Sequence, residues 1–558
     1  MKIRNLLILG LVLLGFTYCS SDEVLDGPTT GDDTAGTLKM EIAVTMPTTR
    51  SSTNEDGGST GGLEAGTANE NAAKSIQVLI VKKTEVAKTY TYESSETSGT
   101  PGSSFFTTAE FRMDDMKVGD QFYVYAFVNP YKDLETDLNA AFTNSTSHVD
   151  AINAVIGASK DNFFMSNATV VTSAPLKAEH ISGAPLKVAV DVQRAVARME
   201  YDSGKLTAAT TDGIGVGGDA DAVKVKFTHY KLVNTSRSFY NLKRVSADGS
   251  VPTVDPTFPT AVTSGVGGKE TASNFVVDTD WAAKKDAADF WAGGMGPARP
   301  WQDGFFNTIG SAETIDKGAP YVELGAKAYT TENTTPKTLA GDKLTSRKGL
   351  ATAVVFKGYL AVDAPTTGEV TLASGHKYNP TETSPVYVYN NKYVGSFDKL
   401  PTAIQNIVTA GITDKATPIT DERIKHNNKD LAAAGVTGYS YDVEYKVSDS
   451  KTGAYPVYYV YYNRHNHVTT VKDGDKTDGN TTDPMEFAVV RNNIYKLAIT
   501  GISKFGHPND PELTPSYPNY NPDPTPQDPK DPIESSTLYM QVTATVLDWT
   551  VRTNNIEF

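Results

Sequence analysis

Residues 38–47 read LKMEIAVTMP and residues 538–551 read LYMQVTATVLDWTV, and these two stretches carry the clearest secondary-structure pattern of the chain. In both, apolar side chains occupy every second position and less apolar ones lie between them. A two-residue period is typical of a β-strand with one buried face. Both stretches are therefore predicted to be half-buried strands in an all-β chain.

The two strands carry nearly the same apolar side chains in the same order. The pairs are Leu38 with Leu538, Met40 with Met540, Ile42 with Val542, Val44 with Ala544, and Met46 with Val546. Because a groove recognises the order of side-chain sizes on one strand face, one groove should accept either strand. This predicts a placeholder strand at 38–46 and a donor strand at 538–549, ending near Trp549, that reaches a neighbouring copy. The alternative is two ordinary strands of one subunit.

A tether precedes the second strand. Residues 507–532 contain nine prolines mixed with Asp and Asn. Proline lacks the N–H that a sheet interior needs, so the segment is predicted to be extended and semi-rigid. Such a spacer would let the last strand reach another molecule.

The N-terminal residues indicate export. Lys2 and Arg4 precede an apolar run at 6–16 that is too short to span a bilayer, and the only cysteine of the chain, Cys19, follows it. Residues 1–19 are predicted to be a lipoprotein signal, with lipid attached to Cys19. Tyr18 stands where such signals usually have a small residue, and the alternative is an incidental thiol.

The segment 50–71 is rich in Ser, Thr, Gly, Glu and Asn and is predicted to be a flexible, exposed loop. Cleavage between Arg50 and Ser51 by an Arg-specific protease would remove residues 20–50 with the lipid and the first strand. An incidental surface arginine is the alternative.

The remaining chain alternates strands with long polar loops. Predicted strands lie at 76–81, 122–128, 186–201, 223–233, 351–362, 457–463 and 488–502, and predicted helices at 137–158, 401–410 and 429–434. Two β-sandwich-like domains with a few short helices fit this pattern. The predicted segments are signal 1–19, propeptide 20–50, domains 51–205 and 206–506, linker 507–534 and donor strand 535–558.

Composition and motifs argue against catalysis. The net charge of −15 disfavours nucleic acid as a partner. The glycine-rich stretch at 213–218 lacks the strand-to-helix context of a phosphate loop. Asp473, Asp475 and Asp478 depart from calcium-loop spacing, and His465 with His467 is more typical of packed or solvated histidines. No enzyme activity, cofactor or metal is predicted.

The chain resembles the Bacteroidetes fimbrillins, the subunits of type V pili, and in particular shaft subunits of short fimbriae. The resemblance rests on VVRNNIYKL from Val489, the proline-rich spacer with TATVLDWTV, QRAVARM from Gln193, and LKMEIAVTMPTTR after the signal. It implies a two-domain β-sandwich, export as an outer-membrane lipoprotein precursor, cleavage after Arg50 and polymerisation through the C-terminal strand.

The resemblance also implies partners: further copies of the chain in a homopolymer, anchor and tip pilus subunits, an Arg-specific protease, and receptors on host or bacterial surfaces. The membrane would be contacted only through a transient lipid anchor, and the mature location would be a surface fimbria. A monomeric surface lipoprotein that binds glycan or host protein is the competing hypothesis, and a secreted hydrolase is a remote third.

Overall fold

The structure is a computed structural model that describes part of the 558-residue chain. The described residues are 34–45, 60–67, 69–83, 89–94, 105–131, 145–147, 163–216, 224–236, 238–246, 275–279, 321–334, 350–361, 368–379, 386–389, 392–394, 397–420, 436–439, 455–465, 487–503, 506 and 540–550.

Strands dominate the described part and make the fold mainly β. Up to residue 215 they are β1 (Thr34–Thr45), β2 (Thr60–Ala65), β3 (Ile76–Lys82), β4 (Thr89–Ser94), β5 (Phe105–Met116), β6 (Phe122–Val128), β7 (Ser145–Ser147), β8 (Met165–Asn167), β9 (Val171–Thr172), β10 (Leu186–Arg194), β11 (Val196–Tyr201) and β12 (Ile214–Gly215).

The later strands are β13 (Lys224–Val233), β14 (Ser238–Tyr240), β15 (Val245–Ser246), β16 (Phe275–Val276), β17 (Val322–Glu323), β18 (Lys327–Thr331), β19 (Ala353–Ala361), β20 (Val370–Thr371), β21 (Lys377–Tyr378), β22 (Val386–Tyr389), β23 (Lys392–Val394), β24 (Val436–Tyr439), β25 (Tyr455–Tyr462), β26 (Asn493–Ile502) and β27 (Met540–Thr550).

Helical segments in the described part are short. They are α1 (Ala178–Ile181), α2 (Thr402–Thr409), the 3₁₀ turns Ser203–Lys205 and Phe397–Lys399, and the π-helical turn Ala208–Asp212. None of the described helices has the length and apolar character needed to cross a membrane.

The first sheet has the order β4-β3-β6-β8-β10-β1-β5, with β9 paired to β6. Its apolar residues form a large core, to which β3 contributes five residues, and all seven positions of β3 are buried. A strand buried along its whole length is covered on both faces, which explains why IQVLIVK is nearly continuously apolar.

Two further sheets pack face to face. One has the order β18-β11-β26-β27-β2, and the other has the order β12-β13-β19-β25 with β17 beside β13. Residues of both sheets, including Met199, Phe227, Phe356 and Leu497, share a second core. This arrangement is a β-sandwich. A smaller cluster forms around α2, where Ile404 and Val408 pack with Phe397.

The strand that runs from β10 into β11 joins the first sheet to the sandwich. The sequence predicted one strand over 186–201, and the structure interrupts it at Ala195. β10 belongs to the first sheet, whereas Ala197, Met199 and Tyr201 of β11 belong to the second core. The domain bounds proposed from the sequence remain predictions.

Most predicted strands are confirmed, and two other predictions are wrong in part. Strand predictions at 76–81, 122–128, 223–233, 351–362 and 457–463 correspond to β3, β6, β13, β19 and β25. The predicted strand at 488–502 begins only at Asn493, and the helix expected at 401–410 is α2. The helix expected at 137–158 is wrong at β7, which pairs with β14, and its other residues lie outside the described part.

The expectation of a loop throughout 50–71 is also wrong. Thr60–Ala65 forms β2, and Glu70 and Asn71 are buried. The composition of the segment is that of a loop, but its acidic and amide side chains bind buried arginines, as described below, and these contacts order it. Residues 50–59 and the helix expected at 429–434 lie outside the described residues.

Candidate strand-exchange site

β1 fills a slot in the middle of the first sheet. It pairs antiparallel with β5 on one edge and parallel with β10 on the other, so that Met40 faces Ala109 and Leu186. The side chains predicted as the placeholder face, Leu38, Met40, Ile42 and Val44, are all 0% exposed in the core. Burying four such side chains contributes on the order of 10 kcal/mol. Loss of β1 would therefore open the core of the sheet.

The opposite face of β1 carries exposed ion pairs at Lys39 and Glu41, although Ala43 on the same face is buried. Lys39 lies 3.5 Å from Glu110 of β5, and Glu41 lies 3.7 Å from Lys187 of β10. All four side chains are at least 41% exposed. Exposed pairs contribute at most about 1 kcal/mol each, so the apolar face holds β1 in place.

β27 occupies a second slot, in a different sheet. It pairs antiparallel with β26 and parallel with β2. Val542 stands opposite Ile499, Ala544 opposite Leu497 and Val546 opposite Tyr495, and these three β26 residues line the second core. The side chain of Met540 is 5% exposed in the same core.

The structure therefore shows the two matched strands in separate slots of one molecule, and the last strand docks on its own subunit. Trp549 stands opposite Glu64 of β2. Its number is odd, whereas the other predicted donor residues have even numbers, so Trp549 falls outside their two-residue repeat. Leu538, Met46, Cys19, Arg50 and Ser51 lie outside the described residues. That one groove accepts either strand remains a prediction.

Residues 60–71, here named the strap, hold β27 from its second edge. Glu64 of β2 lies 2.5 Å from Lys496 of β26 and also pairs with Arg198 of β11. Burial would raise the pKa of Glu64, but the hydrogen bond from Lys496 and the charge of Arg198 outweigh it and lower the pKa. Glu64 is thus held as a carboxylate between two cations.

Glu70 anchors the other end of the strap. Nη1 of Arg198 donates to both carboxylate oxygens of Glu70 at 3.1 and 3.0 Å, and the Tyr329 hydroxyl donates at 2.6 Å. Lys327 lies 3.3 Å away. Burial opposes ionisation, but the Tyr329 hydrogen bond and the Arg198 charge lower the pKa of Glu70 from 4.5 to about 2. The strap is therefore ion-paired to β11 and β18.

Two more buried arginines join the sheets. Arg194 Nε donates to the Glu70 carbonyl at 3.1 Å, and its Nη atoms donate to Asn71 and, at 3.2 Å, to Asn492. Arg491 lies 2.7 Å from Glu332, and both side chains are at most 1% exposed. Three of the arginines in QRAVARM and VVRNNIYKL thus fix the corner where the first sheet meets the sandwich.

Sequence reasoning missed this ion cluster. QRAVARM contributed only to the resemblance to the fimbrillins. Two arginines four residues apart in an otherwise apolar strand also indicate buried cations. Buried cations need acidic or carbonyl partners. Glu200, two positions from Arg198, pairs with it at 3.1 Å, whereas Glu70 and Glu64 lie 128 and 134 positions away in the chain. No local pattern shows which arginine they reach.

Two motifs that the sequence analysis did not assign to a functional site, His465 and part of the glycine-rich stretch, belong to the described residues and have structural partners. His465 is buried, with Nδ1 2.9 Å from the Tyr495 hydroxyl, and Ile214–Gly215 forms β12 beside β13. Among the described residues, no group of three or more His, Cys, Asp or Glu side chains is placed to hold a metal ion. Asp473, Asp475, Asp478 and His467 lie outside them.

The class that these features define is an all-β protein whose terminal strand is docked between β26 and a strap. Residues 454–555, which contain β25, β26 and β27, match the family model described as major fimbrial subunit protein type IV, fimbrillin, C-terminal. Over this C-terminal region the match agrees with the resemblance of the sequence to the fimbrillins. The match supports the class of a fimbrial subunit.

Solved structures similar to the chain include a fimbrilin from Porphyromonas gingivalis W83, with 12% identity over 93% of this chain and 99% of that one and a TM-score of 0.36. A putative cell adhesion protein from Parabacteroides distasonis has 13% identity over 92% and 100%, with a TM-score of 0.40. The tip fimbrial protein Mfa3 from Porphyromonas gingivalis has 9% identity over 92% and 100%, with a TM-score of 0.31. At these TM-scores the structural similarities add no argument to the match over residues 454–555. No curated protein sequence matches the chain.

Proposed function

We propose that the chain is the structural shaft subunit of an adhesive surface fimbria, which polymerises when the tail of one copy replaces β1 of the next. The observation that carries the proposal is the position of β1 between β5 and β10, with four core side chains fully buried. A strand in the middle of a sheet cannot be lost without a replacement, because its removal exposes the core and two rows of backbone groups.

The position of Arg50 supports the processing step. It lies between the end of β1 at Thr45 and the start of β2 at Thr60. Cleavage after Arg50 would separate β1 and the N-terminal lipid on Cys19 from the mature chain. The strap would stay, because Glu64 and Glu70 are paired with Arg198. A single cut would then remove the membrane anchor and open the slot.

The two slots differ in depth, and this difference supports transfer of the tail. The four described core side chains of β1 are 0% exposed, whereas Val542 of β27 is only partly buried in its own subunit. Burial of apolar area is the main favourable term in such an exchange. At the position of Val542, a tail that leaves β26 for a neighbour's β1 slot would therefore gain apolar burial. Anchor subunits, tip subunits and surface receptors are the further partners proposed.

The docking of β27 on its own β26 favours a second candidate, a monomeric surface lipoprotein that binds glycan or host protein. The two functions predict different mature chains. A subunit that polymerises starts at Ser51, and a monomeric lipoprotein keeps a lipidated Cys19 and residues 20–50.

Mass spectrometry of the mature N-terminus, combined with gel electrophoresis of protease-treated protein in SDS, tests the proposal. We expect a start at Ser51 and ladders that resist SDS, with neither in Arg50→Ala. Deletion of 535–558 should abolish the ladders while cleavage still occurs. Ladders that form without residues 535–558 would contradict the proposal.

A further inference from the structure

β1 and β26 lie end to end along one edge of the β10–β11 strand. Successive residues of a strand direct their backbone groups to opposite edges. The Ala195 N–H donates to the Phe164 carbonyl at 2.9 Å on the β8 side. The Arg194 N–H therefore points to the other edge, where it faces Asn492 Oδ1 at 3.4 Å. Even-numbered residues of this strand thus face β1 and then the start of β26.

A short stretch of that edge lies beyond the described pairing of β1. The described pairing of β1 ends at Thr45 opposite Asp191, and β26 takes over where the Asn492 N–H donates to the Val196 carbonyl at 2.8 Å. Val192 and Arg194 lie between these two points and direct their backbone groups to the same edge. The Val192 carbonyl is the part of this edge that continues the β1 slot, because the Arg194 N–H already donates to Asn492 Oδ1.

The sequence of β1 cannot extend the ladder along this stretch, and the sequence of the tail can. If the parallel register continues, position 47 faces the Val192 carbonyl with its N–H. That residue is Pro47, which has no N–H. In the tail, aligned by the matched apolar residues, Leu547 takes this position and supplies the donor.

One step further along the same face, a charged residue of the aligned tail would meet a charged residue of β10. The buried side chains of β10 that face the slot are Leu186, Val188, Val190 and Val192, and then Arg194. The aligned tail presents Met540, Val542, Ala544, Val546 and then Asp548. Apolar residues thus face apolar residues, and the acid faces the base. Burial lowers the pKa of Arg194 to about 9, and a nearby carboxylate would favour its charged form.

We infer that the tail of a second copy pairs with more of β10 than β1 does, because Leu547 replaces Pro47 opposite Val192 and Asp548 is brought beside Arg194. The inference rests on the proposed function and adds a reason why the exchanged state outlasts the precursor state. Leu547 and Asp548 set the register of the tail and its preference for the slot over β1. The added pairing ends before Val196, whose carbonyl accepts a hydrogen bond from the Asn492 N–H.

The test compares full-length variants after protease cleavage by the rate at which labelled subunits leave preformed fibres. Leu547→Pro removes the donor, and Leu547→Ala is its matched control. A carbonyl left without its donor costs about 1 to 3 kcal/mol, so we expect subunits of Leu547→Pro to leave roughly tenfold to hundredfold faster than those of Leu547→Ala. Failure of Leu547→Pro alone to form fibres would also support the inference.

Asp548→Asn provides an independent arm, with Asp528→Asn in the linker as its control. We expect about tenfold faster release for Asp548→Asn and no change for Asp528→Asn. Equal release rates for Leu547→Pro and Leu547→Ala, or for the two aspartate variants, would overturn the inference while fibre formation itself still supports the proposed function. Fibres that form without residues 535–558 would instead overturn the proposed function.

Discussion

Glu64 and Lys496 form an ion pair of 2.5 Å, although β27 lies between their strands. The pair therefore crosses over the last strand and ties its two neighbours, β2 and β26, to each other. With Arg198 as a second partner of Glu64, the contact fixes the strap against the sheet. β27 can leave its own subunit only if this ion pair breaks or if β27 slides out beneath the intact pair.

Glu64→Gln should loosen the docked tail of the unprocessed monomer. Removing a hydrogen bond to a charged group costs roughly 1.5 to 3 kcal/mol, and Glu64, which is 32% exposed, should fall at the low end. Hydrogen exchange of residues 540–550 should become faster. Glu369→Gln, which removes an exposed partner of Lys377, is the control and should leave these amides unchanged. Unchanged exchange in Glu64→Gln would show that the strap does not hold the tail.

Glu70 should make stability depend on acid pH. Because its pKa is about 2 in the folded chain and 4.5 ordinarily, its contribution is complete above about pH 4.5 and is lost as the pH falls towards 2. Glu70→Gln removes the carboxylate that Arg198 and Tyr329 share, while Glu64 and Glu200 remain beside Arg198, and should destabilise by about 1.5 to 3 kcal/mol near neutral pH. Denaturant unfolding at several pH values should show a flatter acid limb for Glu70→Gln.

The control for Glu70 is Glu41→Gln, which removes an exposed partner of Lys187. Its effect should stay within about 1 kcal/mol at every pH. If Glu70→Gln and Glu41→Gln behaved alike, the strap would not be anchored through Glu70.

Arg491 and Glu332 should show strong coupling. Both are buried, and Arg491 also donates to the Tyr240 carbonyl at 2.7 Å. Glu332→Met or Arg491→Met alone leaves a buried charge and should destabilise by about 3 to 5 kcal/mol. The double variant Arg491→Met with Glu332→Met should be less damaging than the sum of its single changes, as measured by a thermal-denaturation double-mutant cycle. Additive effects would contradict direct pairing.

Gly358→Ala should destabilise the sandwich. A Cβ at this position would lie 2.6 Å from the backbone carbonyl of Lys226, where β13 bulges between Phe227 and His229. Overpacking of this kind costs roughly 1 to 3 kcal/mol. Gly411→Ala, which meets nothing within 4 Å, is the control and should leave the melting temperature almost unchanged. Equal melting temperatures of Gly358→Ala and Gly411→Ala would show that β13 and β19 accommodate the added methyl group without a loss of stability.

The sequence predicted features that depend on local pattern. The alternation in LKMEIAVTMP was sufficient to predict that Leu38, Met40, Ile42 and Val44 share one buried face. It was not sufficient to predict that β27 lies in another sheet, because alternation defines a face and not its partner. The ion cluster was also missed, since Glu64 and Arg198 are far apart in the chain and meet only through the fold.

Cysteine crosslinking tests the movement of the tail most directly. Thr543 stands opposite Ala498 in the monomer and, if it takes the place of Ala43, opposite Ala189 of a neighbour. In a chain with Cys19→Ser, we expect Thr543→Cys to crosslink with Ala498→Cys within the precursor, and with Ala189→Cys between subunits after cleavage. A tail that stays crosslinked to Ala498→Cys in assembled fibres and never reaches Ala189→Cys would contradict strand exchange.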